Sequence, residues 1–101
     1  MIYITQIIYL QEGQEITFNL FENVVIPAMN KYNGRLLFRV RPDYGDYIES
    51  NIERPYEIHL IEFASQKDFD DFRNDEERQE YLHLKRESIR SMMLIQGTLI
   101  G

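Results

Sequence analysis

The strongest constraint on this chain lies at its two ends, where residues 2 to 11 and 92 to 100 form short runs that are apolar at both odd and even positions. In the first run Ile2, Ile4, Ile8 and Leu10 alternate with Tyr3, Ile7 and Tyr9; in the last, Met92, Leu94 and Ile100 alternate with Met93, Ile95 and Leu99. Successive side chains of a strand point to opposite sides of its sheet, so each run reads as a strand covered on both faces. Neither approaches the ~20 apolar residues needed to cross a bilayer. The N-terminal run also lacks the basic leader and small-residue cleavage site of a signal peptide.

Between these ends the period changes. From residue 15 to 32, Phe18, Phe21, Val25, Ala28 or Met29, and Tyr32 recur at steps of three and four, which predicts a helix with one buried stripe. Pro27 cannot donate to the Asn23 carbonyl, so a kink near Asn23 or a break into two short helices is expected. Asn33-Gly34 ends the helix, with Gly34 expected in the left-handed cap conformation. Residues 35 to 41 form a second strand, stopped by Pro42, and residues 56 to 63 a third. These two are expected to pair as an antiparallel hairpin whose long polar tip is residues 43 to 53. Ser65 with Asp68 is a helix start of the capping-box kind, and Asn74 with Glu77 repeats it. Residues 66 to about 88 therefore read as two helical pieces joined at Asn74, with Phe69, Phe72, Tyr81, Leu84 and Ser88 facing inward.

The order is β-α-β-β-α-β, the split βαβ pattern of a ferredoxin-like α+β sandwich with a four-stranded antiparallel sheet. Right-handed crossovers place both helical segments on one face of that sheet. A length of 101 residues suits one domain spanning residues 1 to 101. Helices on one face leave the other apolar face bare, which monomers rarely tolerate, so a homodimer with facing sheets is expected.

These residues carry a resemblance. The order of elements, the Lys31-Tyr32-Asn33-Gly34-Arg35 turn, the Arg54-Pro55 entry to the third strand, its Ile61-Glu62-Phe63-Ala64-Ser65 exit and the Phe-rich helix before an Asn-Asp-Glu-Glu step resemble the dimeric α+β barrels catalogued as domain of unknown function 1330. The resemblance covers nearly the whole chain. It implies a dimeric barrel with a cavity between sheets, and no particular reaction. The tip from Asp43 to Glu53, with its tyrosines and acids, departs from that pattern.

Candidate chemistry starts at the third strand. Phe63, directly before the second helical segment, should point at the helices, with Ile61 and His59 beside it; Ile58, Leu60 and Glu62 then face the barrel. A carboxylate among apolar side chains needs a partner, and Arg35 or Arg39 on the neighbouring strand supplies one. Glu62 thus reads either as a general base or ligand anchor with Arg39 as anion clamp, or as half of a structural ion pair. Tyr9 and Tyr56, with Tyr3 and Tyr32, read as pocket walls for a partly apolar or aromatic molecule, or as edges of the core. His59 and His83 lie in unrelated segments without a carboxylate at ligand spacing, so no metal is expected. No phosphate loop, nucleophile elbow or dinucleotide fingerprint is present, and no cofactor is expected.

Composition narrows the remaining classes. A formal net charge of -6, with basic residues scattered, argues against nucleic acid and anionic membrane surfaces as partners. The absence of cysteine removes disulfides and thiol chemistry and suits a cytoplasmic protein. Three functions fit: a small-molecule binding module, a cofactor-independent enzyme of the monooxygenase, isomerase or decarboxylase kind acting on an aromatic substrate, and a protein-interaction module using the acidic tip.

Overall fold

The computed structural model describes residues 1 to 101. Four strands, β1 (Ile2–Leu10), β2 (Gly34–Val40), β3 (Glu57–Phe63) and β4 (Ile89–Gly97), form one antiparallel sheet in the order β2-β3-β1-β4. The helices α1 (Glu15–Ala28), α2 (Gln66–Arg73), α3 (Glu76–Glu80) and α4 (Leu82–Ser88) complete the β-α-β-β-α-β order expected of a ferredoxin-like α+β fold. No helix is long and apolar enough to cross a membrane.

The helical stripe predicted from the sequence is the core. Phe21, Val25, Ala28 and Met29 meet Phe69 and Phe72 from α2 over Ile4, Ile61 and Phe63 of the sheet. Both helical segments therefore cover the same face, the one to which even-numbered β1 residues and odd-numbered β3 residues point. Burying one such apolar side chain contributes about 1.5–3 kcal/mol, so the shared face outweighs local helix preferences.

Local details differ from the sequence expectation in several places. Helix α1 continues through Asn23 and Pro27 and gives way only at Met29, to a 3-10 turn ending at Tyr32. Asn23 and Pro27 both lie on the exposed side, where a carbonyl that the proline leaves unbonded faces solvent rather than the core. The left-handed residue is Asn33, with φ 55°, rather than Gly34. Glycine is needed at 34 for another reason: a Cβ there would lie 2.3 Å from the Phe63 ring.

The second helical segment breaks twice, not once. Asp75 rather than Asn74 caps α3, accepting from the Arg78 N–H at 3.0 Å, and a further joint falls at Tyr81. Tyr81 turns outward to stack on His83, and Leu82 packs inward with Leu84 in its place. Finally β4 starts at Ile89, three residues earlier than expected. The Gln11 N–H donates to the Ser88 carbonyl at 2.7 Å, so pairing with β1 begins as soon as α4 ends.

The face away from the helices carries Phe38, Val40, Met93 and Ile95, all between 42% and 49% exposed. The tip between β2 and β3 folds back over one end of it, bringing Tyr47, Ile52 and Pro55 towards Ile7 and Ile58. A short 3-10 turn at Tyr44–Asp46 and the stacking of Arg54 on Tyr44 and Tyr47 shape that tip.

Candidate functional site

A bulge in β2 decides which charged groups meet. Arg35 and Arg39 are four residues apart and would share a face of a regular strand. The register slips between Leu36 and Phe38, so Arg35 stands opposite Glu62 on the helix-free face while Arg39 stands opposite His59 on the helix face. Of the two partners the sequence offered Glu62, the structure pairs it with Arg35 through Nε. Arg39 instead donates from Nε to Glu57 Oε2 at 2.8 Å.

The residues singled out from the sequence do not form one site. Tyr9 and Tyr56 border the same shallow cleft at one end of the sheet, with Glu12, Glu53 and Arg90. The Tyr9 hydroxyl donates to the Glu53 carbonyl at 2.8 Å, and Tyr56 lies edge-on to Phe18 with the Arg41 guanidinium over its ring. Glu62 faces Tyr3 across the β1–β3 ladder. Tyr3 and Tyr9 are six residue steps apart along the strand, about 20 Å, so Glu62 sits at the far end from the tyrosine cleft. Arg39 is on the opposite face from Glu62.

A different cluster is buried between the sheet and α1. Glu57 and His59 are fully buried and Glu22 is 4% exposed. His59 donates from Nε2 to Glu57 Oε2, and Glu57 also accepts from Arg39 Nε and from Arg41 Nε at 2.7 Å. Asn19 Oδ1 accepts from both arginines and closes the row at its outer end. Burial alone would push the Glu57 pKa up, but the hydrogen bonds from His59, Arg39 and Arg41 overcome it and hold the carboxyl down at about 2.

At the inner end, His59 Nδ1 lies 4.0 Å from Glu22 Oε2. It is one of two buried side-chain polar atoms without a hydrogen-bond partner, the other being the Tyr47 hydroxyl in the tip. Burial dominates at Glu22 and pushes its pKa up to about 7, against the pull of His59 and Arg39. Sequence parity placed His59 inward, and it places Glu57 there too; Glu22 lies four residues after Phe18 in the helical stripe. The signal was present as two acids on apolar faces, yet their meeting depends on how α1 lies across β3.

Glu22 also lines a cavity of about 170 Å³ that opens between α1 and the α2–α4 segment over β1 and β4. Its apolar walls are Val25, Met29, Phe69, Phe72, Met92 and Leu94, and Arg73, Arg78 and Lys85 add positive charge. Arg73 is paired with Asp70 at 2.5 Å. Arg78 and Lys85 have no carboxylate oxygen within 4.0 Å, and burial lowers the pKa of both. No group of three or more His, Asp or Glu side chains is placed to hold a metal ion.

No family model and no curated protein matches the chain, so the family resemblance in the sequence gains no support from those comparisons. Solved structures do match. The chain is similar to a protein of unknown function from Rhodopseudomonas palustris, with TM-score 0.84 and 12% identity over 99% of this chain and 82% of that one. It is also similar to an uncharacterized NIPSNAP domain protein from Burkholderia xenovorans, with TM-score 0.68 and 8% identity over 99% and 95% of the two chains. A third, from Bacteroides fragilis, is described as a dimeric protein of unknown function with a ferredoxin-like fold; its TM-score is 0.68 at 12% identity over 97% and 95%. At such identities the likeness shows the ferredoxin-like α+β fold and no specific function.

Proposed function

We propose that the chain is a homodimeric binding protein for a small, partly apolar anion, held in the cavity between its helices and its sheet. One observation carries the choice of ligand: Arg78 and Lys85 border an apolar cavity in which Glu22 is the one acid, and neither makes a direct ion pair, Arg78 donating instead to the Arg73 carbonyl at 3.0 Å. Partly desolvated cations are costly unless an opposite charge reaches them, and a bound carboxylate supplies it. A dry cavity of ~150 Å³ accommodates benzene, so the 170 Å³ here suits a small aromatic or branched aliphatic acid. Arg39, Glu62, Tyr9 and Tyr56 lie apart within one subunit and form no single pocket there.

The dimer is supported by the half-exposed Phe38, Val40, Met93 and Ile95 on the helix-free face. A second copy placed on that face would take them out of water, and one structural neighbour is itself described as dimeric.

Chemical-shift and thermal-shift titrations with benzoate and with benzyl alcohol test the ligand class. Benzoate should bind and raise the melting temperature, benzyl alcohol should bind at least tenfold more weakly, and Lys85→Met should remove the difference. Equal affinity for the acid and the alcohol in the unaltered protein would refute the proposal.

A further inference from the structure

Resting on the reading of the cavity as a small-anion site, we infer that it is also a proton-transfer site, in which Glu22 is the acid–base group acting on a small aromatic or partly apolar 2-oxo acid and His59 positions it. The cavity has one acid in its lining, Glu22, set among apolar walls and the two unpaired cations. A 2-oxo acid matches this combination. Its carboxylate answers Arg78 and Lys85, its apolar substituent answers Phe69, Phe72 and Met92, and its acidic C–H is the proton a lone carboxylate can take.

The residues behind Glu22 are arranged for that task. Carboxylates only accept, so His59 Nε2 donates to Glu57, and Nδ1 is left turned towards Glu22 without a hydrogen-bond partner. Glu57 is fixed by Arg39 and Arg41 and cannot turn away. The gap of 4.0 Å between Nδ1 and Glu22 Oε2 is too long for a hydrogen bond, and closing it takes a side-chain shift of about 1 Å. An orienting carboxylate, an imidazole and a reacting group in series is how a base is held in one tautomer. A purely structural ion pair has no use for an unsatisfied buried nitrogen.

The step balances without oxidant or cofactor. The Glu22 carboxylate takes a proton from the carbon beside the carbonyl; the C–H pair becomes the C=C bond and the carbonyl π pair moves to oxygen, where Arg78 and Lys85 offset the enolate charge. Glu22, now protonated, returns the proton to oxygen or to carbon. The groups that face Glu22 and set its proton affinity are His59 and Glu57 from β3, Arg39 from β2, and Arg78 and Lys85 from α3 and α4; Arg73 of α2 shares the cavity but is paired with Asp70. With its pKa at about 7, it is ionised often enough to act as base and basic enough to be effective.

Phenylpyruvate in deuterated water is the probe. Binding is followed by shifts of the Val25, Met92 and Leu94 methyl signals, and catalysis by deuterium entry at the substrate methylene. The protein should accelerate exchange over buffer, and Glu22→Gln should bind phenylpyruvate yet exchange it roughly 100-fold more slowly. Glu22→Leu, expected to lose exchange equally, decides if the Gln variant does not fold by circular dichroism. His59→Gln should keep binding, lower the rate and displace the pH midpoint of exchange; a lower rate with an unmoved midpoint would deny His59 its positioning role. Bound phenylpyruvate exchanging at the buffer rate would overturn the proton-transfer inference and leave the anion site standing. Failure of phenylpyruvate and benzoate alike to shift the cavity methyls would overturn the anion site itself.

Discussion

Replacing Glu22 by Gln should make the protein more stable, and by an amount that grows with pH. The carboxyl titrates near 4.5 in an unfolded chain and at about 7 in the folded one, chiefly because α1 buries it against β3. Below pH 4.5 it is neutral in both states and costs nothing. Between 4.5 and 7 the unfolded chain releases the proton while the folded chain keeps it, so stability falls by ~1.4 kcal/mol per pH unit. Above 7 both states are ionised and the whole penalty, about 3 kcal/mol, is present. The amide of Gln is isosteric and does not ionise, so the variant escapes that loss. Urea unfolding of both proteins at equal concentration, at pH 4.5, 6 and 8, measures it. The variant should match the parent within about 1 kcal/mol at pH 4.5 and exceed it by about 3 kcal/mol at pH 8, or roughly 10 °C or more in melting temperature. Titrating groups that do not face Glu22 cancel in the difference. A gap that is flat from pH 4.5 to 8, or that closes as pH rises, would refute the claim that burial holds a proton on Glu22.

Three further outcomes follow from the packing. Glu57→Ala leaves His59, Arg39 and Arg41 facing an empty buried position and should cost about 3–5 kcal/mol at pH 7; in the parent, the Glu57 contribution is present above pH 4.5 and is lost as pH falls towards 2, so the gap measured by chemical denaturation should narrow in acid. Gly34→Ala drives a methyl into the Phe63 ring and should destabilise by at least about 1–3 kcal/mol, whereas Gly45→Ala, with open space around it, should not; comparable losses would refute the close-approach argument. Ile95→Glu places a charge on the helix-free face, on the edge strand β4, and should convert a dimer of about 24 kDa, twice the 12.2 kDa chain, to monomer in light scattering with helix content unchanged; a parent protein that is already monomeric at micromolar concentration would refute the facing-sheet dimer.

Periodicity alone carried the architecture. The stripe Phe18, Phe21, Val25, Met29 and the alternation of Ile61 and Phe63 specify which faces must be buried, and a chain this short has few ways to bury them together. The positions of breaks were less legible, because they depend on where a missing hydrogen bond faces water, as at Asn23 and Pro27, or on a neighbouring strand, as where Gln11 draws Ser88 into pairing. The charged groups were legible only as candidates. Glu62 is paired with Arg35, and Arg39 with Glu57, because one extra residue in β2 turns every later side chain to the other face. That slip leaves no mark on hydropathy. The approach of Glu22 to His59 is likewise a product of how α1 crosses β3, two segments 37 residues apart in the chain. Local sequence determines which side of its own element a side chain occupies; which other side chain it meets there is decided only when the elements pack.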